Sequence, residues 1–451
     1  MEREIYGQQS SLHCSGKQSK KNEKFNREDC FSRYLNQERA YGYSYPLAII
    51  SLALTLVSKS GVSYRAVPKI SKALNDTLNL GLKEPAHSTV LLWMKKQGVA
   101  NFKDRSFFEG NKWFLIIDQS IQFGNEKLLA VMAVLSSAVK KKALTYLDLV
   151  PLVLKLSTSW KSEEIKQEII NSIDVKDVEY VVCDNGNNLK STCNILDLVH
   201  VEDVNHKISG FIKDVYEKDP VFESYTKHLS GMRGKLSLSK IAHLIPPNQR
   251  IISRFMNLTP LFVWGEKTLR LMQDKKLNAQ ELEKATFSTN YKAFVIDTLL
   301  ILNTLNLIQK KLKTNHLNQA QISECLLELE KLKSLKGRII AEKMRNYFEI
   351  TTAKLNTDQQ AACSSDIIES CFGKYKEVVK LNKTIGVSDI CLSISCLTNN
   401  GEIDELKKAL ESIKTKDVKK WSDKNIGESL FKKRTVLYKE KGGMKNIKKA
   451  A

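Results

Sequence analysis

The spacing of hydrophobic residues changes along the chain and divides it into segments. Residues 1–44 are polar and of mixed charge, which predicts a flexible N-terminus. Over residues 45–105 the apolar positions recur near the helical period of 3.6 residues, first in 46–58, then from Ser63, and again in 89–97. This pattern predicts an all-α domain of three short helices.

The last of these helices carries candidate DNA contacts. Ser88 can cap a helix over 89–97, and Gly98 can end it. Two short helices joined by a turn are typical of a helix-turn-helix, whose second helix lies against DNA. The residues that we expect to face DNA are Ser88, Thr89, Lys95 and Lys96, with His87 as a weaker candidate. Trp93 is expected in the core, and a plain helical bundle remains the alternative interpretation.

Short β-favouring runs replace the helical spacing from about residue 113. They predict five strands, which cover 113–117, 127–135, 149–156, 178–183 and 198–202. A charged helical segment at 162–173 precedes the fourth strand. Three strands, a helix, a strand, a helix and a strand is the order of the ribonuclease H-like fold, in which an antiparallel meander is continued by parallel strands.

The rest of the chain completes the predicted domain order. Long helical periodicity at 290–312 and 322–350 indicates a helical insertion into the strand-rich core. The predicted fold is α/β, a ribonuclease H-like mixed sheet with a large helical insertion, preceded by an all-α helix-turn-helix domain. The predicted parts after residue 105 are the first part of the core at 106–211, the insertion at 212–355, the second part of the core at 356–412, and a basic C-terminal tail at 413–451.

Charge indicates a polyanionic partner. The chain has 71 basic and 50 acidic residues, a formal net charge of +21. From Lys414 to the C-terminus there are 13 basic and four acidic residues, a balance of +9. Nucleic acid is the simplest partner for such a segment. A solvated lysine-rich tail without a partner is the alternative.

Cysteine usage and hydropathy predict a soluble protein of a reducing compartment. The nine cysteines are scattered, with no CxxC pair and no Cys/His cluster at zinc spacing. No apolar run approaches ~18 uninterrupted residues, and the polar N-terminus lacks the apolar core of a secretory signal. We therefore expect neither a disulfide framework nor a membrane span.

Two aspartates stand at the ends of predicted strands. Asp118 follows the first strand, and Asp184 follows the fourth. These strands are neighbours in the predicted topology, so the two carboxylates are expected to meet at one edge of the sheet. Paired carboxylates repel each other unless cations hold them, and Mg²⁺ prefers such hard oxygen ligands. Each aspartate taken alone is also compatible with a turn or a helix cap.

A two-metal site for phosphoryl transfer needs a further carboxylate. Glu369 is the best candidate, because Ser365 can cap a helix whose next turn presents it. Lys374 and Lys376 follow closely enough to meet phosphates. Glu369 considered alone is also compatible with a solvated helix residue.

A rival for the second carboxylate follows the fifth predicted strand. Asp203 ends this strand, and His206 lies three residues further on, where it could orient a water or contact a phosphate. The competing interpretation is that Asp203 is a helix cap and His206 a neighbouring polar residue.

At these residues the sequence resembles the DDE transposases of bacterial insertion sequences, enzymes with a ribonuclease H-like catalytic core. The resemblance covers most of the chain from about residue 45 to 440. The segments that carry it are the Asp118 strand with Gly124 and Lys127 after it, the Asp184-Asn185-Gly186 turn, the block from Glu369 to Lys376, the Arg254-Phe255-Met256-Asn257 segment with Trp264, and the helix from Ser88 to Gly98.

The resemblance implies metal-dependent cutting and joining of double-stranded DNA at transposon ends and in a target. It implies two Mg²⁺ or Mn²⁺ ions held by Asp118, Asp184 and Glu369, with water freeing a 3′-OH that then attacks the target. It also implies a homodimer in the DNA complex and a bacterial, cytoplasmic, nucleoid-associated location. The further DNA contacts expected from the insertion, the Glu369 helix and the basic tail are Arg254, Lys374, Lys376, Lys432, Lys433 and Arg434.

Two other functions compete with transposition. A ribonuclease H-like nuclease or resolvase would use similar carboxylates without needing the N-terminal helices or so large an insertion. A non-catalytic DNA-binding regulator with the same fold would need none of the three carboxylates. Inverted repeats that flank the coding region would discriminate in favour of a transposase.

Overall fold

A computed structural model describes residues 38–78, 83–102, 108–123, 126–140, 143–249, 254–355, 360–379, 386–399 and 401–441. Most of the predicted flexible N-terminus, Gly124 and the last ten residues of the basic tail lie outside the described residues. Within them the protein is a mixed α/β structure with mostly helical content and one five-stranded mixed sheet. The predicted α/β class is confirmed at this level.

The sheet combines antiparallel and parallel pairing. Its strands lie in the order β3-β2-β1-β4-β5. β1 pairs antiparallel with β2, and β2 with β3, whereas β4 lies parallel to both β1 and β5. The strands are β1 Trp113–Phe123, β2 Glu126–Leu135, β3 Leu149–Ser157, β4 Val178–Cys183 and β5 Val199–Glu202.

The first strand is longer than its apolar run. The sequence predicts a strand that ends at residue 117, with Asp118 directly after it. In the structure β1 continues to Phe123, because β2 pairs with it from Asp118 opposite Ala130 to Phe123 opposite Glu126. Asp118 therefore lies inside a strand and not after one. Backbone pairing with a long neighbour extended the strand beyond its hydrophobic part.

Helices account for most of the remaining described residues. Those before and between the strands are α1 Leu47–Ser58, α2 Val67–Leu78, α3 His87–Ala100, α4 Ser162–Ile170 and α5 Asn187–Ile195. Those of the insertion region are α6 Val204–Tyr216, α7 Pro220–Leu236, α8 Thr259–Gln273, α9 Ala279–Ala285, α10 Lys292–Asn315, α11 Gln319–Leu329 and α12 Leu335–Lys354. Those that follow are α13 Asp366–Val379, α14 Leu392–Leu397, α15 Ile403–Ser412, α16 Thr415–Asn425 and α17 Leu430–Lys441.

Both faces of the sheet are covered. Alternate β1 residues point to opposite faces, as the period of two requires. Phe114 and Ile116 join the core formed with α6, α13 and the insertion helices. Leu115 and Ile117 join the core formed with α4 and α5. The sheet is thus a central layer, and its polar strand ends remain available for a site.

A second helical unit joins the two ends of the chain. Trp93 on α3 is buried, as predicted, and packs edge-on against Tyr45. The same core contains Leu392 of α14, Leu410 of α15 and Val418 of α16. The N-terminal helices therefore share a hydrophobic core with helices from the last 60 residues. The start of the segment predicted as a basic tail belongs to this unit.

Gly98 packs against α14 and does not end its helix. The sequence predicts a helix over 89–97, whereas α3 begins at His87 and runs through Gly98 to Ala100. A Cβ atom at Gly98 would lie 2.7 Å from the Leu392 carbonyl oxygen and 2.8 Å from the Leu392 Cβ. The glycine is needed for close helix packing, which a local cap prediction does not consider.

We expect Gly98→Ala to lower the free energy of unfolding by about 2–3 kcal/mol, since overpacking typically costs 1–3 kcal/mol. Gly231 on α7 has no described heavy atom within 4 Å of its Cβ position, so Gly231→Ala is the matched control. It should be neutral or stabilising, because alanine favours a helix over glycine. Chemical denaturation of both variants measures the difference. Equal stabilities would contradict the packing role of Gly98.

One helical stretch of the described residues, Ala279–Asn315, is long and apolar enough to cross a membrane, by length and composition only. Within its apolar window 39% of the residues are buried inside the protein. Val295, Ile301 and Leu305 of α10 belong to the main core. A core helix of a soluble protein has this composition, and the finding is consistent with a soluble protein.

Candidate active site

Parallel pairing of β1 and β4 brings the two predicted aspartates together. Ile117 of β1 is in register with Cys183 of β4. Asp118 is the next residue of β1 and Asp184 directly follows β4, so the two lie side by side at the carboxyl end of the paired region. Both side chains are partly exposed. Asp118 Oδ1 accepts a hydrogen bond of 2.6 Å from its neighbour's amide, Gln119 N.

The turn after β4 fixes Asp184. Its Oδ1 accepts a hydrogen bond of 2.9 Å from Gly186 N, at the start of α5. A Cβ atom at residue 186 would lie 2.9 Å from this same oxygen, so a side chain there would displace the Asp184 carboxylate. Asn188 then ties α5 to the preceding segment through a 3.2 Å hydrogen bond to the Trp160 carbonyl. Asp184 is held on a rigid strand-to-helix junction.

Glu369 lies on α13, a helix that shares the main core with the sheet. It lies in the first turn of α13, whose residues Ile368 and Cys371 are fully buried in the main core. The Glu369 carboxylate is 3.3 Å from Nε2 of His206, which lies in the first turn of α6. The two side chains are 38% and 41% exposed, so this pair is open to solvent. The pairing of Glu369 with His206 is not evident in the sequence.

The charges of neighbouring side chains act on Asp118 and on His206. Burial and the nearby negative charges of Glu369 and Asp184 together raise the pKa of Asp118 to about 6, against the opposing effects of the Gln119 N hydrogen bond and of His206. The hydrogen bond to Glu369 raises the pKa of His206 to about 9, and the charges of Asp203 and Asp184 add to this effect. His206 is therefore a cation at neutral pH. The structure brings Asp118, Asp184, Glu369 and His206 into one interacting cluster.

Asp203 has a different environment from the other carboxylates. It is 1% exposed and caps α6, since its Oδ1 accepts hydrogen bonds of 2.8 Å from Asn205 N and His206 N. Its Oδ2 accepts from Ser365 N at 2.5 Å and from Ser365 Oγ at 2.7 Å. Both oxygens are thus used to tie the start of α6 to the start of α13. This geometry matches the helix-cap interpretation of Asp203.

The donor set suits a hard divalent cation in its chemistry. Asp118, Asp184 and Glu369 offer carboxylate oxygens, and their mutual repulsion is what raises the pKa of Asp118 beyond the effect of burial. Among the described residues no three His, Cys, Asp or Glu side chains are grouped closely enough to hold a metal ion. Glu369 faces His206 instead of completing such a group.

Of the α3 residues predicted to contact DNA, some are accessible to solvent, whereas others are paired with residues of the protein. Ser88 is exposed at the start of the helix, and Thr89 is half-buried. The Lys95 ammonium forms a 2.6 Å ion pair with Asp389 and is only 16% exposed. Lys96 donates a 2.5 Å hydrogen bond to the Tyr43 hydroxyl. DNA binding by these residues stays a prediction, and the two lysines would have to exchange protein partners for phosphates.

Arg254 lies inside the insertion. Its guanidinium donates a 2.8 Å hydrogen bond to Thr226 Oγ1 and stacks over the Phe222 ring at 4.9 Å. These contacts fasten the short turn Arg254–Met256 to α7. The structure thus gives Arg254 a packing role, and contact with DNA stays a prediction.

Two lysines follow Glu369 on α13. Lys374 donates a 3.3 Å hydrogen bond to the Lys59 carbonyl and lies 5.6 Å from the centre of the Tyr146 ring. The Tyr146 hydroxyl in turn shares a 2.6 Å hydrogen bond with Ser370 Oγ. Lys376 is exposed. Tyr146 and Ser370, next to Glu369, were not singled out by the sequence, and no local pattern marks them.

The basic residues of α17 lie beside the β1–β2 end of the sheet. Lys433 is 3.8 Å from the carboxylate of Glu126, which is 7% exposed, and Lys432 pairs with Glu428 at 3.0 Å. A Cβ atom on Gly386 would lie 2.7 Å from Leu430, so this helix packs against the loop after α13. Arg434 is partly exposed.

Comparisons with known proteins assign no family to this chain. No protein family matches the sequence, and no curated protein matches it. The proposals below rest on the residues and their arrangement.

Proposed function

We propose that this protein is a DDE-type transposase that cleaves DNA at transposon ends and joins it to a target. The observation that carries the proposal is the cluster of Asp118, Asp184 and Glu369, which come from two neighbouring strands and a helix far apart in sequence. Charge repulsion from the other two carboxylates contributes to the raised pKa of Asp118. Such an arrangement is unfavourable without a function that uses it.

The sheet supports the same proposal. Three antiparallel strands followed by two parallel ones, in the order β3-β2-β1-β4-β5, agree with a ribonuclease H-like core. In that interpretation Asp118 on the central strand and Asp184 after the adjacent strand are the first two catalytic carboxylates. The helices α6 to α12 separate β5 from α13, which carries the third.

The chain's own residues suggest how the reaction is organised. Asp118, Asp184 and Glu369 would hold two Mg²⁺ or Mn²⁺ ions, which supply stabilisation of the charge that develops on the phosphate. In the structure the Glu369 carboxylate is paired with His206. Water attacks the phosphodiester at a transposon end and releases a 3′-OH, which then attacks the target strand. The rigid strand-to-helix junction at Asp184 keeps its carboxylate in place throughout.

The helical unit built from both chain ends is the proposed reader of terminal repeats. Ser88 and Thr89 lie at the N-terminal end of α3, where recognition helices contact base edges. The helix α16, which shares a hydrophobic core with α3, carries the exposed lysines Lys416, Lys419 and Lys420. We propose that the protein acts as a homodimer on DNA in the bacterial cytoplasm, in association with the nucleoid.

The test uses the genomic DNA that flanks the coding region. The purified full chain is incubated with a plasmid that carries these flanks, with Mg²⁺ or Mn²⁺, and the products are mapped by sequencing. Cuts with free 3′-OH ends at inverted repeats, followed by joining to a second plasmid, support a transposase. Cutting without joining at any sequence would favour a nuclease, and binding without cutting would favour a regulator.

We expect Lys376→Gln to reduce the slope of log K against log salt by about 0.9, the effect of losing one phosphate contact on duplex DNA. Lys331→Gln is the matched control, because the Lys331 ammonium is paired with Glu328 at 2.5 Å and is not among the predicted DNA contacts. Its slope should remain that of the wild type. Fluorescence anisotropy with a labelled duplex at several salt concentrations measures both. A slope that falls for Lys331→Gln and stays unchanged for Lys376→Gln would place the phosphate contact away from α13.

A further inference from the structure

The long helix α10 of the insertion exposes an apolar stripe to solvent. Its residues Ile296, Leu300 and Leu307 are between 38% and 50% exposed. Ile301 and Leu305, on the opposite side of the same helix, are buried in the main core. The helix therefore has apolar residues on two faces, and the fold of this chain covers only one of them.

The exposed positions follow a heptad repeat. Steps of three and four residues alternate along the stripe, which consists of Ala293, Ile296, Leu300, Asn303, Leu307 and Lys310. Apolar residues at this spacing form the contact seam of a coiled coil. The helix α12 also exposes Leu335, Ile339 and Ile350, but Glu342, whose side chain is 77% exposed, lies between them. An exposed charge thus interrupts the stripe of α12, whereas the centre of the α10 stripe is uncharged.

The α10 stripe is complementary to a second copy of itself that runs in the opposite direction. An antiparallel pair centred between residues 301 and 302 places Ile296 against Leu307 of the second copy. It also places Leu300 against Asn303 of the second copy. The two Asn303 side chains then lie in adjacent layers on either side of the two-fold axis, where their amides can hydrogen-bond to each other.

The charges along α10 favour the antiparallel direction. Asp297 and Lys310 form no ion pair within the part of the chain that the structure describes. In an antiparallel pair Lys310 lies opposite Ala293 of the second copy, one helical turn from Asp297, and the two-fold symmetry repeats this pairing. A parallel pair would instead place Lys310 against Lys310, and like charges that face each other are unfavourable.

We propose that α10 is the surface through which two copies of this chain associate, as an antiparallel two-helix coiled coil. Ile296, Leu300 and Leu307 make the apolar contact. Asn303 fixes the register, since one polar residue in a seam specifies pairing at a cost in stability. The inference gives a surface to the homodimer of the proposed function, and its test uses no DNA, so the two can fail separately.

Sedimentation equilibrium of the full chain without DNA tests the association. Leu300→Glu should raise the Kd of the dimer by more than about 100-fold, because a central apolar contact typically contributes tenfold or more and is lost in both copies. Leu327→Glu on α11 is the matched control, since Leu327 is 62% exposed and lies outside the stripe. It should dimerise like the wild type. Thermal unfolding of both variants checks that they remain folded.

Cysteine cross-linking tests the direction of the pair. The background carries serine in place of Cys14 and Cys30, which lie outside the described residues, and the seven other cysteines are buried. Chains with Ile296→Cys and chains with Leu307→Cys should form a disulfide-linked dimer only when the two are mixed. In a parallel pair each variant would instead cross-link with itself.

Each outcome supports or overturns the seam. A wild type that stays monomeric at every concentration overturns it, and DNA cleavage by such a monomer would leave the proposed function intact. A dimer that Leu300→Glu does not weaken, or cysteine variants that cross-link only with themselves, would also overturn it. If Leu300→Glu does not fold, the cross-links decide. A monomer that floats with anionic phospholipid vesicles, but not after Leu300→Glu, would make the stripe a membrane-binding surface instead.

Discussion

Asp118→Asn is expected to abolish strand cleavage, with a loss on the order of 10³-fold, while the protein still folds and binds DNA. Removing one preorganised electrostatic group from an active site typically costs 10²–10³-fold, and the loss is larger when that group holds a cation. Asparagine keeps the shape of the side chain and its acceptor for Gln119 N. The measurement is the rate of plasmid cleavage with Mg²⁺, combined with anisotropy for binding.

The same substitution should stabilise the protein when divalent cations are absent. Asp118 has a pKa of about 6 in the folded state, against 3.8 for an ordinary aspartate. The folded state therefore binds the proton more tightly than the unfolded chain. Stability contributed by this group is present below about pH 4 and is lost as pH rises through 6. The full effect is about 3 kcal/mol at most.

Thermal unfolding from pH 4 to pH 8 in the presence of a chelator checks this sign. The wild type should lose stability relative to Asp118→Asn over this range, and the two should converge at low pH. Asp148→Asn, at an exposed turn capped by its own carboxylate, is the control and should not gain stability at neutral pH. A variant that loses both cleavage and stability would indicate that Asp118 has a structural role.

Asp203→Ala is expected to lower the free energy of unfolding by about 3–5 kcal/mol, the sum of a lost cap and of buried donors left without partners. The change removes four hydrogen bonds and leaves Ser365 N without its acceptor in a buried position. It also removes the two hydrogen bonds by which Asp203 ties the start of α6 to the start of α13. Chemical denaturation measures the loss.

Asn278→Ala provides the matched comparison. Asn278 caps the exposed helix α9 through Glu281 N, and its loss should cost only about 1 kcal/mol. Asp203→Asn should fall between the two, because it keeps one acceptor oxygen. An Asp203→Asn variant that is as stable as the wild type but cannot cleave DNA would instead make Asp203 the second catalytic carboxylate. Asp184→Asn would then remain active.

Periodicity predicted the elements better than their ends. The fourth strand has the bounds that its apolar run predicted, because every residue of that run but one is buried. The first strand extends past its run, since pairing with β2 supplies hydrogen bonds to polar positions as well. The stretch at 322–350 is divided between α11 and α12, where Ser334 accepts from Gly337 N and begins a new helix. A hydrophobic pattern does not show such a break.

Part of the candidate site could likewise be predicted from the sequence, and part of it could not. Asp118 and Asp184 could be paired from the sequence, since each lies beside its own apolar run and neighbouring parallel strands bring such residues to one edge. Their catalytic use, with Glu369, stays a prediction. His206 became a partner of Glu369 through contacts between the starts of α6 and α13, among them the Asp203–Ser365 hydrogen bonds, which join residues 162 positions apart. No local sequence pattern shows that two residues so far apart along the chain are in contact.

The sequence by itself determined the α/β class, the apolar strands, the buried Trp93 and the adjacency of Asp118 and Asp184. These depend on periodicity and on pairing rules that act over short stretches. Only the tertiary structure decided that Gly98 is a packing contact, that Lys95 pairs with Asp389, and that α14 to α16 share a core with the N-terminal helices. Each of these joins segments about 300 residues apart. Their partners are chosen by the packing of the whole chain, where burial and hydrogen bonding are satisfied together.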